Sequence, residues 1–223
     1  MISENQGKQE IEFQGRKAKR ADSRERRLAI LNAALRIIIR DGIRGIRHRA
    51  VAAEAKVPLA ATTYYFKDIN ELISDAFNLF AENSLGATQK LENDSFKALA
   101  KFTPEQLAHP DTRAALSQAL VKFTIDHINS QLENRDQRIL EHAFRNEALR
   151  NPELAKLAAI PQRHSLAQIE KFFRLLESSD PQADAEIVNG VIMQLEYTAL
   201  IKPDTGDLIR RTVAHTMEKL LAL

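Results

Sequence analysis

The 223 residues contain no cysteine, which excludes disulfides, thiolate metal sites and cysteine nucleophiles and agrees with a reducing cytoplasm as the expected location. No apolar run approaches the roughly 20 residues that a membrane span requires, and the polar stretch from Met1 to Arg27 lacks the apolar segment of a signal peptide. The expectation is a soluble, unprocessed chain with no membrane partner. A Gly-rich phosphate loop, a Gly-x-Ser-x-Gly elbow and a His-Glu-x-x-His zinc motif are all missing. The six histidines, at positions 48, 109, 127, 142, 164 and 215, are scattered without ligand spacing. Neither catalysis nor a metal or other cofactor is expected. Segments of strand period, internal repeats and Gly/Ser linkers are also absent from residues 23–223, so the expected fold class is all-α.

What is present is charge, unevenly placed. Residues 1–67 hold 15 Lys and Arg against 7 Asp and Glu, whereas residues 68–223 hold 17 against 23. The two parts therefore suit different partners, and nucleic acid or an anionic membrane surface suits the basic one. The basic residues cluster in residues 16–20 and around residues 44–56 rather than along one amphipathic helix, which disfavours the membrane. Residues 1–22, with Gly7, Gly15 and the cluster Arg16, Lys17, Lys19 and Arg20, lack hydrophobic periodicity and read as a disordered basic arm. Both a minor-groove contact and plain solvation fit such an arm. With 44% hydrophobic residues, the chain has enough apolar surface to bury a core.

From Ser23 onward the spacing is helical. Leu28, Leu31, Leu35, Ile38 and Ile39 form one apolar face, with Asn32, Arg36 and Arg40 opposite, and Gly42 ends the helix. Short helices are predicted near 47–55 and 58–65. A long one, opened by Asp68 or Asn70, runs through Ile73, Phe77 and Phe80 to about Leu91. Thr103-Pro104-Glu105 and Asn151-Pro152-Glu153 each offer an N-cap, a first-turn proline and an early carboxylate. Pro161 is expected to bend or break the helix that contains it. Two final amphipathic helices span 184–201 and 204–223.

The stretch from Gly42 to Phe66 meets the requirements of a helix-turn-helix: a short helix, a tight turn near Lys56, and a second helix thin enough to enter the major groove. Pro58 and Leu59 open that second helix, and Ala60 and Ala61 let it approach the bases. Thr62 and Thr63 offer hydroxyl and methyl groups to base edges or phosphates, and Tyr64 and Tyr65 offer hydroxyls to the sugar-phosphate backbone. Arg47, His48 and Arg49 start the preceding helix, where positive side chains and free amides favour phosphate.

Thr63-Tyr64-Tyr65-Phe66, together with Ile30-Leu31-x-Ala33-Ala34, Gly42, Val51-Ala52 and Leu72, resembles the N-terminal domain of the TetR/AcrR family of one-component regulators. The resemblance covers residues 26–72 closely. It implies DNA binding, homodimerisation and repression controlled by a ligand. The sequence departs from the family pattern at four places. Arg47 stands where a capping Thr or Ser is usual, Lys56 replaces the turn glycine, and Pro58-Leu59-Ala60-Ala61 replaces a Ser-x-Gly-Thr type start. Ile69 stands where many members place a phosphate-contacting Lys, for which Lys67 is the available substitute.

These readings divide the chain into the arm at 1–22, a DNA-binding domain at 23–67 and a ligand and dimer domain at 68–223. Phe123, His127, His142, Phe144, Phe173, Met193 and Tyr197 are candidates for an apolar effector pocket, and plain core packing fits each of them too. The last two helices have more apolar surface than one chain can cover, so Ile187, Gly190, Val191, Val213, Met217 and Leu220 are candidates for a dimeric four-helix bundle; ordinary core packing is the alternative. The expected partners are an operator in double-stranded DNA, a second copy of the chain and an unidentified small-molecule effector. A nucleoid-associated or division-linked protein with the same DNA grip and no small-molecule switch is the competing function.

Overall fold

The computed structural model describes residues 21–107, 109–202 and 204–221, without the side chains of residues 21, 84–92, 94 and 104. Residues 1–20 of the expected arm lie outside this set, while Ala21 and Asp22 already belong to the first helix. All regular structure among the described residues is helical. In chain order it comprises α1 (Ala21–Asp41), a 3-10 turn (Ile43–Gly45), α2 (His48–Ala55), α3 (Leu59–Tyr65), α4 (Ile69–Leu99) and α5 (Pro104–Leu107). It continues with α6 (Pro110–Glu133), α7 (Arg135–Ala148), α8 (Pro152–Leu175), α9 (Pro181–Ile201) and α10 (Gly206–Leu221).

The helix starts follow the local chemistry. Asp68 accepts from the Glu71 amide at 3.0 Å, and the Glu71 carboxylate accepts from the Lys67 amide at 2.5 Å, which settles Asp68 over Asn70 as the cap of α4. Thr103 and Gln106 exchange side-chain to backbone bonds in the same reciprocal way at α5. Asn151 accepts from Leu154 at 3.1 Å, and Asp180 from Ala183 at 3.0 Å. Two expectations are corrected. The helix α4 does not stop near Leu91 but continues to Leu99, because Ala98 and Leu99 are buried and Phe96 stacks edge-on against Phe172 at 5.8 Å. Pro161 does not break α8, whose core residues Leu154 before it and Phe172 and Phe173 after it are all buried.

The chain forms two compact units. One comprises residues up to Ser84 together with Ile139–Ala158; the other comprises Leu85–Arg138 and Ala159–Leu223. In the first, Ile30, Leu31, Ile37 and Ile38 of α1 pack with Val51, Tyr65, Phe66, Leu72, Phe77 and Phe80. Leu140, Phe144 and Leu154 complete that core, the Phe144 ring lying 5.2 Å from Phe77 and 5.6 Å from Phe80. In the second, α6 packs against α9 and α10 around Leu116, Leu120, Ile128, Val188, Ile192, Leu195, Ile209, Val213 and Met217.

Candidate nucleic-acid interface

Two glycines shape the approach to the helix-turn-helix. Gly42, at φ 73° and ψ 176°, occupies backbone space closed to side-chain-bearing residues. A Cβ on Gly45 would fall 2.7 Å from Asp41 Cβ and 3.1 Å from Ile37 Cγ2, so the 3-10 turn folds onto the end of α1 only because that position is bare. Arg36 and Arg40 of α1 donate to Glu54 of α2 at 2.8 and 3.2 Å. Those bonds, Arg36 first, hold the Glu54 carboxyl below its ordinary pKa.

The turn closes with Lys56 in the left-handed conformation, at φ 55° and ψ 42°. Its amide bonds to the Ala53 carbonyl at 3.2 Å, and the Val57 amide reaches back to Ala52 at 3.0 Å. A glycine would adopt this shape freely, whereas lysine is strained there by about 1 kcal/mol or more. Arg47 caps α2 with extended backbone and no side-chain bond, so the cap that a Thr or Ser would supply is missing.

The seven residues of α3 divide into two faces. Thr62 is completely buried, donating to the Leu59 carbonyl at 2.8 Å and pairing with His48 Nδ1 at 3.2 Å. Tyr65 is also buried, with its hydroxyl 2.8 Å from Ser23 Oγ on α1. The expectation that these two present themselves to DNA is corrected: their polar groups bind α3 to its own domain. Ala61 is half-buried. Leu59 at 45% exposure, Ala60, Thr63 and Tyr64 at 53% form the outer face. Around it, Arg47, Arg49, Lys56, Pro58 and Lys67 are exposed and His48 is half-buried. Ile69 packs against the core of its unit, leaving Lys67 as the cation at the end of α3.

Beneath this surface Arg27 of α1 bonds to the buried Asp75 of α4 at 2.5 Å and lies 5.4 Å from the centre of the Phe66 ring. The signal for that pair in the sequence is a single carboxylate, Asp75, among Leu72, Ile73, Ala76 and Leu79.

The effector candidates are divided between the two units. Phe144 lies wholly in the core of the first unit, and His142 belongs to that unit too. Phe123, His127, Phe173, Met193 and Tyr197 belong to the second. Tyr197 is exposed, and Phe173 is buried against Phe172. His127 faces Glu196 at 3.8 Å, and Glu196 meets Arg138 at 3.4 Å. Burial first, and the Arg138 charge second, push the His127 pKa down to about 4. Glu196 was not anticipated, yet it stands four residues after Ile192 and eight after Val188, on the core face of α9.

The dimer candidates also separate. Val213 and Met217 are buried in the core of their own unit, at 1% and 5% exposure, which corrects the expectation that they face a partner. Val191 and Leu220 are half-buried, whereas Ile187 and Gly190 are exposed, with nothing within 4 Å of where a Gly190 Cβ would stand.

A family model described as the tetracyclin repressor-like C-terminal domain matches residues 105–222. The chain belongs to the TetR family. Solved TetR-family structures share its fold. One, described as a transcriptional regulator from Mesorhizobium loti, is 16% identical with a TM-score of 0.64, covering 91% of this chain and 98% of that one. Another, from a Rhodococcus species, is 20% identical with a TM-score of 0.64, covering 88% and 99%. SmeT in complex with triclosan is 19% identical with a TM-score of 0.59, covering 89% and 90%. At these identities the likeness concerns the fold. No curated protein matches the chain. This TetR-family transcriptional regulator has, among its described residues, no helix long and apolar enough to cross a membrane.

Proposed function

We propose that the protein represses transcription by holding a palindromic operator as a homodimer and releases it when a small-molecule effector binds. The observation that carries the reading is the outer face of α3, left in water and rimmed by Arg47, Arg49, Lys56 and Lys67. Helices α1 to α3, residues 23–67, are the reading head; residues 68–223 sense and dimerise. Arg47, His48, Arg49, Tyr64 and Lys67 hold the phosphates, while Pro58, Leu59, Ala60, Ala61 and Thr63 face the groove. Thr62 and Tyr65 act from inside, fixing the angle of α3.

The dimer seam runs along α9. Ile187, Gly190, Gln194, Tyr197 and Ile201 are all exposed and recur at intervals of three and four residues, the spacing of an apolar helix seam, with Gly190 leaving room for close approach. Two heads so joined must present their recognition helices about 34–36 Å apart to enter successive major grooves. Of the five effector candidates that share a unit, Phe123, His127, Phe173 and Met193 are the proposed effector contacts, and the exposed Tyr197 goes to the seam instead. The triclosan complex of SmeT supports a small-molecule effector. Release follows if the effector binds more tightly to a state whose heads are misspaced.

The test is binding of the purified protein to its own upstream DNA against a scrambled duplex of equal length, at several salt concentrations. Preference for the upstream DNA that survives moderate salt supports the reading. Equal, steeply salt-dependent binding to both overturns it and favours the nucleoid-associated function.

A further inference from the structure

The outer face of α3 is unusual for a groove-reading surface in what it offers chemically. Leu59, Ala60, Thr63 and Tyr64 lie at i, i+1, i+4 and i+5, a single side of the helix. Leu59 contributes an isobutyl group and Ala60 a methyl. The Thr63 hydroxyl donates to the Ala60 carbonyl at 3.2 Å, so its hydrogen is already engaged within the helix. No amide, carboxylate, guanidinium or ammonium occurs anywhere in the seven residues of α3. The surrounding cations all lie off the helix, at the start of α2, in the turn and after Phe66.

Guanine and adenine are distinguished in the major groove by paired hydrogen bonds from Arg, Lys, Asn or Gln, and α3 carries none of these. The one apolar group that any base pair exposes there is the C5 methyl of thymine. Leu59, nearly half exposed beside a cationic rim, gains most on the base edges by burial against such a group. We infer that α3 reads its operator through thymine methyl groups, with the side chains of Leu59, Ala60 and Thr63 as the contacts. T·A pairs then lie beneath α3 in both half-sites, and what α3 contributes to specificity depends on shape and methylation of the base rather than on hydrogen bonding. The inference rests on the DNA-binding reading above. Phosphate contacts from Arg49 of α2 are a separate matter and leave it unaffected.

The experiment begins with selection of duplexes bound by the full-length protein from a random pool, followed by resynthesis of a selected duplex with each thymine in turn replaced by deoxyuridine. Uracil keeps every hydrogen-bonding group of thymine and loses only the methyl. Loss of one buried methyl should weaken binding about fourfold, and loss of the symmetric pair in both half-sites about fifteenfold, at one or two positions per half-site. In Leu59→Ala or Thr63→Ser, both at exposed positions, the protein should bind the thymine duplex less tightly and the deoxyuridine penalty should shrink at the thymine that residue touches. Arg49→Ala should weaken both duplexes equally. A selected duplex indifferent to every deoxyuridine, or a penalty unchanged in both α3 variants, overturns the inference while leaving the regulator reading intact. Failure to select any duplex overturns both.

Discussion

Replacing Lys56 by glycine tests whether the turn between α2 and α3 stores strain. Lys56 sits at φ 55° and ψ 42°, and its amide and that of Val57 close α2 onto Ala53 and Ala52. A side chain in this left-handed region costs about 1–2 kcal/mol through the clash of Cβ with the following carbonyl. Glycine removes the clash but adds about 0.4–1 kcal/mol of chain entropy in the unfolded state. Their difference predicts a net stabilisation of about 0.5–1 kcal/mol for Lys56→Gly. Lys56→Ala is the control, since it removes the charge and keeps the Cβ, and it should leave stability nearly unchanged. Urea unfolding followed by tyrosine fluorescence suits the measurement: the chain has three tyrosines and no tryptophan, and Tyr64 and Tyr65 both report on this unit. Both variants lose one cation from the proposed DNA surface, so the salt slope of binding should fall by the same amount, about one unit, in each. A glycine variant no more stable than the alanine variant would refute the strain argument.

Tyr64→Phe should weaken DNA binding, whereas Tyr65→Phe should cost about 1 kcal/mol of stability by removing the bond to Ser23; paired binding and urea titrations check both, and a larger loss of DNA binding in Tyr65→Phe than in Tyr64→Phe would reverse the faces of α3. His127 has a folded-state pKa of about 4 against an ordinary 6.5, so its unfolded form takes up the proton first. The stability associated with neutral His127 is complete above pH 6.5 and is lost as pH falls toward 4, in total about 3 kcal/mol. His127→Gln should flatten the stability profile across that window, and an unchanged slope in urea melts would contradict the burial argument. Gly190→Arg, placed in open space, should leave the fold intact by circular dichroism but yield monomers in sedimentation and weaken operator binding; a dimer of unchanged affinity would move the seam away from α9.

Helix boundaries set by neighbouring residues were readable in the sequence, and those set by long-range burial were not. Asp68, Gly42 and the helical spacing from Leu31 to Ile38 act on residues a few positions away, so helix boundaries there follow from local chemistry. The same holds for the caps Thr103 and Asn151. Near Leu91 and Pro161 the local signals pointed to helix ends, and burial of Ala98, Leu99, Phe172 and Phe173 overrode them.

By itself, then, the sequence determined the all-helical class, the three short-spaced helices with their turn, and the family to which they point, because periodicity, caps and motif spacing are properties of neighbouring residues. Which side of each helix faces inward was decided only by the tertiary structure. Thr62-Thr63 and Tyr64-Tyr65 are chemically identical pairs, and only packing against Ser23 and His48 selects Thr62 and Tyr65 for the interior. Val213 and Met217 lie on an apolar face that either a neighbouring helix or a second chain could cover, and α6 and α9 of the same unit cover it. Phe144 reads like any other aromatic residue of the C-terminal half, yet its partners are Phe77 and Phe80, more than sixty positions earlier. A helical repeat shows that a residue is turned toward something; contacts between distant parts of the chain decide what that is.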